Sequence, residues 1–249
     1  MIFQLPVMDF PEVPPFLGIS DYEFFRPYFF SHQLRFSYGS DKGRYRERWQ
    51  REVESGGAPA LVKLLEKYGF SALLINRKGY PDRAQSLLAN LQSMDRATVI
   101  AESPDSVCIE LKPSTRPVLP PEFDGNWYGL EGDVSHNWRW SLGNATIVLH
   151  NPGPDEKIVH VTFIPATLQP RHLQITIGSR QIYDAFLSPG QAETPQRFTV
   201  TLRPGKTELQ FKTDAPAVPP GNGDPRKLAY NVTDFSIDAE EKAAAPKEP

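Results

Sequence analysis

The sequence predicts an α+β chain: a small α/β domain over residues 1–115, an all-β jelly-roll-like sandwich over residues 116–240, and a disordered tail at 241–249. Three observations predict it. Helical periodicity is confined to the first half, as in "APALVKLLEKYG". Beyond residue 116, β-type runs recur between Pro/Gly turn signals and no convincing helix appears. Between the halves lies "PSTRPVLPPEFDG", whose prolines make a semi-rigid connector.

Taken in order, "IFQLPV" reads as a short buried strand. The stretch "MDFPEVPPFLGISDYEFFRPYFFSHQLRFSYG" is too apolar for a disordered linker and is expected to pack, with some helix near residues 21–30. "RYRERWQREVES" can form a helix. In "APALVKLLEKYG", Leu61, Leu64, Leu65 and Tyr68 fall at i, i+3, i+4 and i+7, and Gly69 ends the run. "FSALLIN" is a buried strand, expected to lie parallel to the first strand because a helical crossover joins them. "PDRAQSLLANLQSM" is a helix with Pro81 in its first turn. "ATVIAES" and "SVCIELK" form a hairpin around Pro104 and Asp105, with Val107, Ile109 and Leu111 on one face and Cys108 on the other. In the second half, "ATIVLHN", "KIVHVTFIPATL", "HLQITIGSRQIYDAFL", "QRFTVTLRPGKTELQFKT" and "KLAYNVTDFSID" are β-type runs, with Pro204-Gly205 expected to close a hairpin.

Composition narrows the function. Lys and Arg number 27 against 30 Asp and Glu, a net charge of −3, so no global positive field draws the chain to nucleic acid. The 25 prolines favour strands and turns. One cysteine excludes an internal disulfide and a cysteine-built zinc site. The longest apolar run, residues 70–75, is too short to span a membrane. Met1 leads directly into a strand with no signal peptide, so the chain reads as a piece of something longer.

Two stretches hold candidate chemistry. Residues 125–141, "GNWYGLEGDVSHNWRWS", contain three of the four tryptophans. Aromatic faces stack on sugar C–H surfaces and flanking polar groups bond hydroxyls, so Trp127, Glu131, Asp133, His136, Trp138, Arg139 and Trp140 are candidate glycan ligands. Trp138 and Trp140 are two apart, so a strand puts them on one face and Arg139 on the other. That face fits burial in the sandwich core or the interdomain seam as well as a sugar platform. Burial would leave Arg139 to pair with Glu131 and leave Asp133, His136 and Arg139 as the polar group to watch. In "SYGSDKGRYRERW", Lys42, Arg44, Arg46 and Arg48 are candidate phosphate contacts beside a helix start. The spacing is neither GxxxxGK[ST] nor GxGxxG. The alternative is a turn before a solvated helix. The histidines show no HxH or HExxH spacing and no GxSxG occurs, so no catalytic residue is assigned. No cofactor is expected beyond a structural calcium in the loop "NGDPR", near Asp224, where pairing of Asp224 with Arg226 is the alternative.

"FQLPVMDFPE", "RFSYGSDKGR" and "LLEKYGFSALLINRKGY" resemble, in order and spacing, a segment near the C-terminus of polytopic bacterial membrane proteins of glycosyltransferase-like type. "NWYGLEGDVSHNWRWSLGNATIVLHNPG" and "GNGDPRKLAYNVTDF" look like the opening and final strands of the β-sandwich, of carbohydrate-binding-module type, that closes such chains. The resemblance implies an extracytoplasmic, periplasmic-side accessory region tethered by an upstream transmembrane region of the same polypeptide. It implies a glycan or lipid-linked sugar as partner and places transfer chemistry elsewhere in the parent. It carries over no catalytic residue. Two further roles fit the residues: a docking platform with an exposed apolar patch on residues 24–38, and a jelly-roll enzyme acting on glycans, for which Glu131 and Asp133 are carboxylates by type alone.

Overall fold

The structure is a computed structural model describing residues 1–11, 16–133, 136–191, 194–221 and 223–240. The tail expected at 241–249 lies outside the described residues. The chain divides into two compact units, Met1–Pro117 and Val118–Pro249.

The first unit holds strands β1 (Ile2–Leu5), β2 (Ala72–Asn76), β3 (Val99–Glu102) and β4 (Ser106–Glu110), and helices α1 (Arg26–Phe29), α2 (Tyr45–Ser55), α3 (Gly57–Lys67) and α4 (Gln85–Ser93). Its sheet runs β1-β2-β4-β3. β1 and β2 are parallel, with Phe3 opposite Leu73 and Leu5 opposite Ile75. These four side chains are buried, as expected of strands covered on the helical side. Helix α3 turns Ala58, Leu61, Val62 and Leu65 inward at helical spacing. Gly69, at φ 82°, ends it in the left-handed conformation that favours glycine. Val107 and Ile109 of β4 and Leu111 just beyond it are buried, while Cys108 packs with Ile2 and Ala72. Helix α4 begins later than the sequence suggests. Both Arg83 and Ala84 adopt positive φ, and Asp82 caps the Ala84 and Ser86 N–H groups, so Pro81 lies in a preceding turn.

The second unit is built from strands β5 (Glu122–Phe123), β6 (Glu131–Gly132), β7 (Asn137–Trp140), β8 (Ala145–Asn151), β9 (Lys157–Thr167), β10 (Arg171–Ile177), β11 (Arg180–Leu187), β12 (Gln196–Leu202), β13 (Gly205–Thr213) and β14 (Tyr230–Ala239). They form two five-stranded sheets. The back sheet runs β11-β10-β13-β8-β5 and the front sheet β12-β9-β14-β7-β6. All pairings are antiparallel, and alternate residues point between the sheets. Phe163 of the front sheet meets Phe211 and Tyr183 of the back sheet, at ring separations of 6.2 and 5.8 Å. The mostly β chain is therefore sandwich-like in its second unit. One expectation fails: Pro204-Gly205 does not close a hairpin. β12 pairs with β9 and β13 with β8 and β10, so the proline and glycine turn the corner from one sheet to the other. No helix among the described residues is long and apolar enough to cross a membrane.

Candidate functional site

The three tryptophans have two different fates. Trp127 is 3% exposed. Its ring meets Phe123, Phe211 and Tyr230 edge-on, and its indole N–H donates to the Thr146 carbonyl at 3.1 Å. It is a core residue and has no face to offer a sugar. Trp138 and Trp140 are co-facial, as their spacing requires, but their face is the outer one. The register shows why. Trp138 lies opposite Thr233, Arg139 opposite Val232, and Trp140 opposite Asn231. Tyr230 and Val232 point into the sandwich, Tyr230 meeting Phe211, so Arg139 shares their side and the two indoles share the other. Both indoles are half-buried on the front sheet's outer surface. Placing Trp138 and Trp140 in the core is thus corrected by the direction of the neighbouring strand.

Fixed groups surround the indoles. Gly132, at φ 93°, sits beneath the Trp138 ring, and a Cβ there would approach its Cζ3 to 2.8 Å. Glu131 lies opposite Trp138 in the pairing of β6 with β7. Arg226 donates to Glu131 at 2.6 Å through one guanidinium nitrogen and to Asp224 at 2.7 Å through another, and it covers the Tyr128 ring at 5.0 Å. Glu131 therefore pairs with Arg226. Arg139 instead lies 4.5 Å over the Phe123 ring on the inner side. Hydrogen bonds from Arg226 hold the Asp224 carboxyl below its ordinary value, and those to Asp224 and Glu131 push the guanidinium up. Both Asp224 oxygens accept Arg226 N–H groups, the pairing named above as the alternative. Asn222 of the same loop lies outside the described residues.

Asp133 and His136 close the turn between β6 and β7. The Asp133 carboxylate accepts the His136 N–H at 3.0 Å, and the His136 carbonyl accepts the Asp133 N–H at 3.0 Å. The exposed His136 ring contacts Asp234 at 3.2 Å and lies 5.9 Å from the Trp138 ring. Two half-buried indoles thus lie on the outer side of the front sheet, with Glu131 opposite Trp138 and the His136 ring beside it. The two carboxylates that could have formed a hydrolytic pair are each engaged, Glu131 by a guanidinium and Asp133 by a turn.

In the first unit, the residues proposed for phosphate do not converge. Lys42 pairs with Asp9 at 3.1 Å. Asp9 also holds Arg51, which in turn binds Glu47. Burial alone would raise the Asp9 carboxyl, but hydrogen bonds from Lys42 and Arg51 hold it lower. The Gly43 N–H, just before α2, donates to the Glu47 carboxylate at 3.3 Å. Arg44, Arg46 and Arg48 are exposed, and Arg46 lies on a different helix face from Arg44 and Arg48.

The first unit has a cleft that the sequence did not signal. It encloses about 260 Å³ at the ends of β1, β2 and β4, lined by Glu23, Asn76, Lys78 and Asp105 with Phe24 and Leu74. These residues are far apart in the sequence and match no motif. Glu23 accepts from Lys78 and Asn76 at 3.0 Å each and from the Ser20 hydroxyl at 3.0 Å. Burial alone would raise its carboxyl. The hydrogen bonds from Lys78, Ser20 and Asn76 outweigh burial and bring it to about 2, from an ordinary 4.5. A depressed carboxyl contributes stability that is present above its unfolded value and lost as pH falls through the folded one. Glu23→Gln is expected to cost roughly 1–3 kcal/mol at neutral pH. It should also flatten the loss of stability between pH 4.5 and about 2. Urea unfolding as a function of pH checks this; identical acid limbs for both proteins would refute it.

No family model matches the chain, and no curated protein matches it. Among solved structures, it is similar to a family 35 carbohydrate-binding module of Clostridium thermocellum, at 13% identity and TM-score 0.28 over 48% of this chain and 88% of that one. It is also similar to the C-terminal CBM6 of LamC from Zobellia galactanivorans, at 10% identity and TM-score 0.28 over 49% and 92%. A GH26-CBM35 β-(1,4)-mannanase of Podospora anserina matches at 12% identity and TM-score 0.29 over 54% of this chain, which spans 27% of that enzyme. Overlaps of this depth do not assign a family.

Proposed function

We propose that the second unit, a jelly-roll-type sandwich, recognises a glycan on the outer face of its front sheet. The observation that carries this reading is the pair Trp138 and Trp140, held side by side on an outer surface although the core had room for aromatics such as Trp127. Residues two apart on a strand place the indoles about 7 Å from each other, a spacing at which each can take its own sugar ring. Glu131, Arg226 and His136 supply donors and acceptors for hydroxyls at the rim. No catalytic role is proposed for Glu131, which Arg226 holds, or for Asp133, which accepts the His136 N–H.

The wider context is part of the same proposal: an accessory region of a membrane glycosyltransferase-like parent, meeting a glycan or lipid-linked sugar outside the cytoplasm. The order and spacing of the motifs in residues 3–80 and 126–235 support it. Coding sequence upstream of Met1 tests it: several in-frame apolar segments are expected, and a stop codon just upstream would sink it.

Binding is tested by calorimetric titration of the chain with a panel of oligosaccharides. Trp138→Ala and Trp140→Ala should each weaken binding roughly tenfold or more, the loss expected when one large aromatic contact is removed. No binding across the panel, or binding indifferent to both substitutions, would overturn the reading.

A further inference from the structure

We propose that residues 26–35 of the first unit dock on an anionic lipid surface, Phe29, Phe30 and Leu34 entering the acyl boundary while Arg26 and Arg35 meet lipid phosphates. Phe29 is 77% exposed, Phe30 88% and Leu34 53%. Large apolar side chains clustered this openly mark an interaction surface. They are presented by a held segment. On one side, Tyr28 Oη donates to the Tyr38 carbonyl at 2.5 Å. On the other, Ile2 N–H donates to the Arg35 carbonyl at 2.8 Å and Ser37 N–H to the Ile2 carbonyl at 3.1 Å, tying the segment to β1. Between these clamps, the Leu34 N–H donates to Ser31 Oγ at 3.0 Å, closing a turn that carries Phe30 and Leu34.

Charge selects the occupant. No acidic residue occurs in sequence between Glu23 and Asp41, while Arg26 and Arg35 lie in that interval and are exposed, Arg26 at the edge of the cleft that holds Glu23 and Asp105. The chain as a whole carries −3, so this positive field is local. A second copy meeting the same face would set arginine against arginine, which costs energy. An anionic bilayer offers acyl chains to the phenylalanines and phosphates to the arginines, the aromatic-and-basic pairing that suits a membrane interface. This inference stands apart from the glycan reading, which concerns the other unit.

The test is co-sedimentation of the full chain with vesicles of phosphatidylcholine, alone or mixed with phosphatidylglycerol. Capture is expected on the mixed vesicles, weaker on the neutral ones, and falling as salt is added. The double variant Phe29→Ser/Phe30→Ser should lower partitioning by more than about tenfold with an unchanged melting curve, since both side chains are already in water. Arg26→Gln/Arg35→Gln should erase the preference for phosphatidylglycerol. The proposal is overturned by no capture on either vesicle, or by capture that the phenylalanine pair leaves unchanged. It is also overturned by a lipid-free dimer, seen by light scattering, that the same pair dissolves, which would make the face a self-contact.

Discussion

Trp127→Ala is expected to destabilise the second unit by about 3–5 kcal/mol, the usual cost of emptying a large aromatic site in a core. The substitution removes a ring in contact with Phe123, Phe211 and Tyr230 and leaves the Thr146 carbonyl without its indole donor. Trp127→Phe should recover most of the packing and lose about 1 kcal/mol, the net worth of the missing hydrogen bond. Trp138→Ala, on a half-buried outer position, should cost markedly less than Trp127→Ala and take its toll on binding. Denaturant unfolding followed by circular dichroism separates the two tryptophans. Equal stability losses at both positions would refute the division into core and platform.

Arg171→Ala is expected to cost a similar amount, about 3–5 kcal/mol, for a different reason. Arg171 is 1% exposed, yet no carboxylate forms an ion pair with it among the described residues. Its guanidinium bonds neutral oxygens: Thr167 Oγ1 at 2.8 Å, the Ala215 carbonyl at 2.9 Å and the Pro216 carbonyl at 3.2 Å. Burial pulls its pKa down, partly opposed by the nearby Asp214 charge, but an arginine stays charged throughout the accessible range. Removing it takes the guanidinium donor from the Ala215 carbonyl, while the Pro216 carbonyl keeps the Gln169 side-chain amide at 2.8 Å, and it opens a cavity at the start of β10. Arg171→Lys should rescue only in part, because an ammonium cannot reproduce the planar fork that reaches both carbonyls. The midpoint of urea unfolding should fall with its slope unchanged. A loss below about 1 kcal/mol would show that the segment at residues 215–216 holds its shape by itself.

Much of the local structure was legible because local rules decide it. The spacing of Leu61 and Leu65 gives α3, the crossover makes β1 and β2 parallel, and the runs beyond residue 140 are strands. What escaped was decided by partners distant in sequence. "NWRW" alternates correctly, but which side faces out is set by Tyr230 and Val232, about ninety residues later. "RPGK" reads as a hairpin turn, yet its flanking strands find better neighbours in β9 and β8. Arg171 looks like surface charge until Thr167 and residues 215–216 close around it. The cleft at Glu23 draws Asn76 and Lys78 from more than fifty residues away, so no spacing could announce it.

The position of β14 in the front sheet has a consequence for biosynthesis. It is the last of the ten strands of its unit in sequence order, yet it lies between β9 and β7. Without it, β6 and β7 have only each other, and an isolated two-stranded hairpin is marginal in water. A ribosome that has emitted residues 131–140 has therefore made the tryptophans but not their platform, which must wait for some ninety further residues and a slow long-range pairing. During that interval two indoles belong to no sheet, and a chaperone that binds exposed aromatics would find them. On the proposed glycan reading, binding at Trp138 and Trp140 would then double as a report that synthesis has run through residue 239.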